Sequence, residues 1–505
     1  METSLYKKNM QHSTNNPNPL RILIWNRGEI AIRIAQGILQ CNHYPIGVYT
    51  KEEPNAFHLH WCKEWIPLEG TTHLETFLNL DQLEKIIRKH KIQALHPGYG
   101  FLSENPKLAI LMESLNCIFI GPNIYALEIM GDKARSKRKA KELGVPVIPG
   151  SLNPLQSLEE AKTLALEIGF PVMLKATAGG GGKGMRICQN LEEIEAAYSA
   201  TKREALNSFG NDDLLMEKFI ENPHHIEVQI LAHPIGPIVH LYERECSIQR
   251  RNQKIIEETP SPFIGEDENL REEITQCAVM LANGVQYQSA GTIEFVMGYD
   301  SKTKKKKFYF LEMNTRIQVE HPITEEITGL DIMSLMIKGA LNQSWSSYFN
   351  SQKDIKRFGH AIECRICVED PITYLPAPGK VQHFDFFPNF RTRFDHCIYQ
   401  GLNISPSFDP MIGKLICWRT NRTLAIEAMS NALENQLVLE GIKTNISLHK
   451  SILKNEVFIK GDTPTSFLKS QFSTPNFPLE SSYSKSLESF ILGQYLSCKE
   501  SSNEI

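Results

Sequence analysis

Between Leu311 and Pro322 the chain reads LEMNTRIQVEHP, crowding carboxylate, amide, guanidinium and imidazole groups into twelve positions. The residues just before, FYF, call for an apolar core. An isolated carboxylate placed there costs far more than a fold can spare, so such groups need a metal, a cation or a ligand as partner. The stretch is a site candidate on those grounds alone.

Alternation along neighbouring apolar segments sharpens this reading. In HHIEVQIL, Ile226, Val228 and Ile230 point one way and His225, Glu227 and Gln229 the other, so one face packs and the other is free for chemistry. Glu294 sits between Ile293 and Phe295 in TIEF, and Glu312 and Asn314 share a face in FLEMN. Two strand carboxylates and an amide oxygen are hard donors, suited to Mg²⁺ held against phosphates. AGGGGKGM follows the strand VMLK, and its glycines can approach a polyphosphate closely while offering backbone N–H donors. The run does not fit the P-loop pattern. Lys175, at the end of that strand, and Lys133, in the segment before it, can meet phosphate oxygens as point charges. A mobile glycine flap over two lysines suits a triphosphate that is enclosed and then released.

These groups need a frame. RILIWNRGEIAIRIAQGI predicts a strand, a polar turn and a helix with Ile30, Ile34 and Ile38 on one side. IGVYT and CIFIGP predict further strands and LDQLEKIIRKHKI a helix, a doubly wound, Rossmann-like pattern without a GxGxxG fingerprint. DKARSKRKAKELG predicts a basic helix; DLLMEKFI, HHIEVQIL, GTIEFVMG and KKFYFLEMN predict strands. KTKKKK, from Lys302 to Lys307, reads as a solvated hairpin loop. After SQKDIKRFG, strands are expected in HAIECRICVED, GKVQHFDF and PMIGKLICW, and a helix in TLAIEAMSNALENQLV.

The chain has 505 residues, 41% hydrophobic and 22% charged, which fits a folded protein of about three domains. A net charge of -4 gives no global reason to bind nucleic acid or an acidic membrane surface. Eleven irregularly spaced cysteines read as free thiols of a reducing compartment. Cys364 and Cys367 form one CxxC, but no second pair completes four zinc ligands. No apolar run is long enough to span a membrane, and residues 1–20 lack the pattern of a signal or transit peptide. The expectation is a cytoplasmic protein with a disordered leader over 1–20 and a Ser- and Pro-rich tail over 470–505, whose segment SLESFILGQYL is a frayed terminus or a short docking helix.

AGGGGKGM, LLMEKFIENPHHIEVQIL, the glutamate of TIEF and LEMNTRIQVEHP together resemble the ATP-grasp enzymes. NRGEIAIR, HPGYGFLSEN, RECSIQRRNQK, ECRICVEDP and FDPMIGKLI narrow the resemblance to the biotin carboxylases, over about residues 21 to 469. It implies an α/β protein with a Rossmann-like domain over 21–130 and an ATP-grasp domain over 131–345, whose mobile glycine-rich lid spans about 146–218. An α+β biotin carboxylase C-terminal domain then follows over 354–469.

The resemblance implies ATP-dependent activation of bicarbonate to carboxyphosphate, followed by carboxylation of biotin. By it, Glu294, Glu312 and Asn314 hold Mg²⁺ (or Mn²⁺); Arg316 orients bicarbonate; Glu320 removes its proton; and Lys254, Gln318 and the backbone of Val319 bind the anion. Arg365 steadies the biotin enolate, with Tyr99 nearby. Lys133, Lys175, Gly181 and Gly182 meet the phosphates, Glu217, Lys218, Phe219 and Ile220 form the adenine hinge, and His225 and Gln249 reach the ribose or phosphates. The chain departs from the family at Asn252, where histidine is usual in the RRxQK run; asparagine still donates a hydrogen bond but cannot carry a proton's charge. Trp25 and HLHWCKEW are further departures, which bear on packing.

No biotin attachment motif occurs in the sequence, so biotin is expected on a separate carrier protein, beside carboxyltransferase subunits, with a homodimer as the assembly. Acetyl-CoA carboxylase is the first expectation for the complete complex, a two-subunit pyruvate carboxylase or another acyl-CoA carboxylase the second. Two other readings compete: an ATP-grasp ligase acting on a different nucleophile, and an ATP-binding regulatory subunit whose site has decayed from Asn252.

Overall fold

Ile22, Leu23 and Ile24 are wholly shielded from solvent because their strand, β1 (Arg21–Ile24), is the middle of a sheet covered on both faces. A computed structural model describes residues 18–472 except 152, 178–183, 210, 252, 301 and 302. In it β1 pairs in parallel with β2 (Tyr44–Tyr49) and β4 (Ala94–His96), and β3 (Glu64–Pro67) and β5 (Ile118–Phe119) extend the two sides. The order β3-β2-β1-β4-β5 reverses direction at β1, and ligand crevices form at such a reversal. There the turn after β1 meets the turn after β4: Asn26 Nδ2 donates to the carbonyls of Pro97 and Tyr99 at 2.6 and 2.7 Å. The helix Gly28–Gln40 begins at that turn and buries Ile30, Ile34 and Ile38 as their spacing predicts. Trp25 fits without distortion: it is fully buried, and its indole N–H donates to the Phe77 carbonyl at 2.8 Å. In HLHWCKEW, Phe57–Trp61 form a 3₁₀ turn, then β3 begins at Glu64.

The second layer is a three-stranded antiparallel sheet, β6 (Val172–Ala176), β7 (Met185–Cys188) and β8 (Leu214–Lys218), in the order β7-β6-β8. Val172, Leu174, Leu214 and Met216 pack with buried residues of the helices Leu158–Ile168 and Leu191–Phe209, which leaves Lys175 and Glu217 on the opposite face. Gly181 and Gly182 lie outside the described residues, as do Asn252, the leader up to residue 17 and the tail beyond 472.

The main sheet has eight antiparallel-paired strands. It comprises β9 (His224–Ala232), β10 (Ile238–Arg250), β11 (Gln253–Thr259), β12 (Ser289–Tyr299), β13 (Lys306–Asn314) and β14 (His360–Cys367); β15 (His383–Phe386) lies apart, while β16 (Thr392–His396) and β17 (Met411–Arg419) complete it. β15 pairs instead with β18 (Leu437–Glu440). The order β13-β12-β9-β10-β11-β14-β17-β16 carries one sheet across residue 354, where the sequence reading placed a boundary: β11 bonds directly to β14. One predicted helix is shorter than expected. In TLAIEAMSNALENQLV the α-helix ends at Asn431, one π turn follows over Ala432–Gln436, and Leu437 already opens β18. Leu437 pairs there with Phe386, so strand bonding overrides the helical period.

One face of this sheet is apolar. Ile226, Val228, Ile230, Ile293 and Phe295 pack against the helix Glu268–Gly284 through Ile274, Ala278 and Leu281. The other face is polar yet buried, and LEMNTRIQVEHP crosses it before entering the helix His321–Thr328. Of the expected loop KTKKKK, Lys302 lies outside the described residues, Thr303 to Lys305 precede β13, and Lys306 and Lys307 already belong to that strand, where Lys307 pairs with Asp300 at 2.8 Å. Cys364 is buried and Cys367 partly buried; among the described residues neither joins a group of three metal-binding side chains. No described helix is long and apolar enough to cross a membrane.

Candidate active site

Register creates the site. On four adjacent strands Glu312, Glu294, Glu227 and Arg244 stand directly opposite one another, β13 to β12 to β9 to β10. Three carboxylates in one row repel each other unless cations intervene. Arg244, fully buried, supplies one: it donates to Glu227 at 2.6 Å, and its remaining N–H groups reach Gln229, Gln318, Thr292 and Thr324. Lys254 supplies the other from the β10–β11 hairpin. Its Nζ lies 2.5 Å from Glu227, 3.0 Å from Glu294 and 2.6 Å from Glu320. Burial alone would lower the Lys254 pKa, but the three carboxylates outweigh it and hold the ammonium well above its usual range.

Glu320 is 1% exposed and divides its oxygens between two cations, Lys254 on one and Arg365 on the other at 2.9 Å. Burial would raise its carboxyl; Lys254, Arg365 and Arg244 together hold it well below the ordinary range. Arg365 is braced from behind by Glu257 at 2.6 Å, whose own carboxyl burial pushes up to about 7. Gln318 links the row to the turn: its amide N–H donates to Glu294 at 3.0 Å while its oxygen accepts from Arg244 at 2.6 Å. Val319 presents its carbonyl to Lys414 at 2.5 Å.

Glu294 and Glu312 face each other across β12 and β13, with Asn314 next on the same side of β13. Glu294 is already shared by Lys254, Gln318 and His225, the last at 3.2 Å. Burial would raise the Glu294 carboxyl, but Lys254 and His225 hold it far below normal; burial would lower His225, but Glu294 raises it. Glu312 is the open end of the row, where among the described residues its ion-pair partner is Lys133 at 3.7 Å, itself 90% exposed. Two carboxylates and the amide oxygen of Asn314 are an all-oxygen donor set of the kind Mg²⁺ takes, so these residues fit that ion.

Other expected residues stand in a different arrangement. Arg316 donates to Glu104 at 3.0 Å and to Asn314 at 2.8 Å, which places it on the N-terminal side of the row, apart from the hydrogen bonds that hold Glu320. Lys175 is engaged by Glu217 at 2.5 Å, and Glu217 also takes Lys137 at 2.8 Å. Burial would raise the Glu217 carboxyl, but the two lysines lower it. Lys218 donates to the carbonyls of Gly169 and Phe170, and the backbone N–H of Phe219 donates to Pro171, so the start of the Glu217 to Ile220 segment is tied to the turn that leads into β6. The Gln249 amide donates to the Cys246 carbonyl at 2.8 Å. The Tyr99 hydroxyl donates to Glu29, and burial followed by that carboxylate keeps the phenol well above its usual range.

Sequence reasoning passed over Glu104, Lys137, Arg244, Glu257 and Lys414. For Lys137 a signal existed, since it follows Lys133 by one helical turn. The others depend on contacts made only in the folded chain, which no local spacing encodes.

The family model for the ATP binding domain of the carbamoyl-phosphate synthase L chain matches residues 132–347; those for the biotin carboxylase N-terminal and C-terminal domains match 19–127 and 363–470. Biotin carboxylase 2 of Bacillus subtilis (strain 168) is 43% identical over 449 residues, 89% of this chain and 99% of that one. The mitochondrial propionyl-CoA carboxylase alpha chain of Homo sapiens is 44% identical over 453 residues, 89% of this chain and 60% of its own length. Among solved structures, the biotin carboxylase domain dimer of the Hydrogenobacter thermophilus 2-oxoglutarate carboxylase, in complex with MgADP, ADP and bicarbonate, superimposes with a TM-score of 0.79. It is 42% identical, and the match covers 89% of this chain and 97% of that one. A buried carboxylate row bridged by one lysine, three matching domains and identity above 40% over nine-tenths of the chain lead to one assignment: the chain belongs to the biotin carboxylases, ATP-dependent ligases with the ATP-grasp fold.

Proposed function

We propose that this chain carboxylates biotin borne by a separate carrier protein, using ATP and bicarbonate by way of carboxyphosphate. The observation that carries this reading is the position of Lys254 among Glu227, Glu294 and Glu320, with Arg365 on the far oxygen of Glu320. Such an arrangement keeps a base ionised beside two cations that an incoming anion can share. Held low, Glu320 is a weak base; bicarbonate arriving at Lys254 and Arg365 draws on those cations, and the proton affinity of Glu320 rises as it needs to act. Bicarbonate then attacks the terminal phosphorus of ATP, and ADP leaves.

Lys133, Lys175 and the flap residues Gly181 and Gly182 meet the phosphates, and Glu217 to Ile220 and His225 line the nucleotide. Magnesium, held by Glu294, Glu312 and Asn314, neutralises phosphate charge when bound. Lys175 reaches the phosphates by exchanging its bond to Glu217 for one to the nucleotide. Arg316 swings from Glu104 toward bicarbonate, Gln318 and the Val319 backbone complete the anion site, and Arg365 receives the enolate oxygen of biotin beside Tyr99. Fixed charge in a site poor in water supplies most of the stabilisation.

Acetyl-CoA carboxylase is the complex we place first and a two-subunit pyruvate carboxylase second, with carboxyltransferase subunits as partners, a homodimer as the working unit and the cytoplasm as the location. Domain limits at 130, 345 and 354 belong to the same reading. The test is ADP release by the purified protein: it depends on bicarbonate and Mg²⁺, and it rises when free biotin or a biotinylated carrier is added. Tight ATP binding without turnover in the presence of carrier would instead favour a regulatory subunit.

A further inference from the structure

A buried lysine that no step above uses stands directly behind the anion turn. Lys414 lies in β17 opposite Arg365 of β14, and none of it reaches solvent. Its Nζ donates to the Val319 carbonyl at 2.5 Å and lies 3.3 Å from Glu29 Oε2. Glu29 is 3% exposed and accepts the Tyr99 hydroxyl at its other oxygen. Three distant parts of the chain therefore meet at one amine: the first turn of the helix Gly28–Gln40, the turn after β13, and β17.

Lysine is among the residue types least often fully buried, so this position calls for a reason. Methionine would fill similar space. What lysine adds is a donor aimed at one backbone oxygen and a charge opposite Glu29; burial raises the Glu29 carboxyl, and Lys414 opposes that rise. The Val319 oxygen belongs to the planar peptide that joins Val319 to Glu320. Fixing it fixes the Cα from which the Glu320 carboxylate projects. The preceding residue is held as firmly, with Arg244 on the Gln318 side chain and His321 Nδ1 on the Gln318 carbonyl at 2.7 Å.

We propose that Lys414, with Glu29, is a positioning residue for the bicarbonate step: it clamps the Val319–Glu320 peptide and couples that turn to Tyr99 on the biotin side. The inference rests on the biotin carboxylase reading and adds to it a residue that touches neither substrate.

Steady-state ADP release by the full chain, titrated with bicarbonate at saturating MgATP and separately with ATP, tests it in Lys414→Met, Glu29→Gln and the double variant. In Lys414→Met the KM for bicarbonate is expected to rise roughly tenfold or more while the KM for ATP moves less than about twofold. The double variant, which removes both charges, recovers the thermal midpoint but not the bicarbonate KM, because the Val319 carbonyl still lacks its donor. Should Lys414→Met fail to fold, the double variant carries the same comparison alone. Recovery of both quantities in the double variant, or equal shifts in the two KM values, would overturn the proposal and leave Lys414 as a partner of Glu29 only. A wild-type protein whose ADP release ignores bicarbonate removes the underlying reading, and this inference with it.

Discussion

Lys254 Nζ lies 2.6 Å from Glu320 Oε1, with the glutamate side chain 2% and the lysine side chain 12% exposed. A buried pair of this kind loses far more when one member is deleted than it gains by existing, because the survivor keeps its desolvation cost.

Glu320→Gln keeps the shape of the side chain and removes its basicity. Bicarbonate-dependent ADP release should fall by roughly 100-fold or more, the usual range for a lost general base, while ATP affinity stays close to that of the unmodified protein. Turnover rate and nucleotide affinity measured on one preparation check both halves.

Lys254→Met leaves Glu227, Glu294 and Glu320 close together without their shared cation. Stability is expected to drop by about 3–5 kcal/mol, the range for breaking a buried ion pair from one side. Chemical denaturation monitored by fluorescence reads this, and acidic buffer should restore part of the loss by protonating one of the three carboxylates and so relieving their repulsion.

The two carboxylates proposed to hold Mg²⁺ should respond differently. Glu312 ends the row and is 38% exposed, so Glu312→Gln should raise the Mg²⁺ concentration for half-maximal ADP release roughly tenfold with little change in thermal midpoint. Glu294 is shared by Lys254, Gln318 and His225, and Glu294→Gln should lower both metal response and midpoint. Chelating the divalent cation should stop turnover in every variant.

Acid stability has an identifiable contributor outside the site. Glu258 is gripped by Arg422 at 2.7 Å and by His360 at 2.8 Å. Burial would raise its carboxyl, but Arg422 and His360 bring it down to about 2 from 4.5. Because the folded group titrates below the unfolded one, its contribution is complete above pH 4.5 and is lost as pH falls toward about 2. That contribution is on the order of 3 kcal/mol at neutral pH. Glu258→Gln should flatten the stability profile in this window, measured by denaturation at stepped pH.

Much of this was legible in the residues. Alternation in HHIEVQIL, TIEF and FLEMN put the right side chains on the polar face, because a strand's period of two is local information. The row Glu312, Glu294, Glu227, Arg244 was not legible, since it depends on the register of four strands between residues 224 and 314. Lys414 was missed for the same reason: it lies about a hundred residues from the carbonyl it holds, and nothing in PMIGKLICW distinguishes it from a solvated lysine. The helix expected over TLAIEAMSNALENQLV exceeds the observed one because Leu437 and Val438 suit a helical period, while only pairing with β15 makes them strand.

The bond ladder between β11 and β14 has a practical corollary for anyone dividing the gene. A cut near residue 354 would strip both strands of their neighbour, from Ile256 opposite Cys364 to Thr259 opposite Ala361, and leave each fragment with a raw, adhesive margin. Produced together, the two pieces should seek each other and rebuild the enzyme in trans; produced singly, each should precipitate.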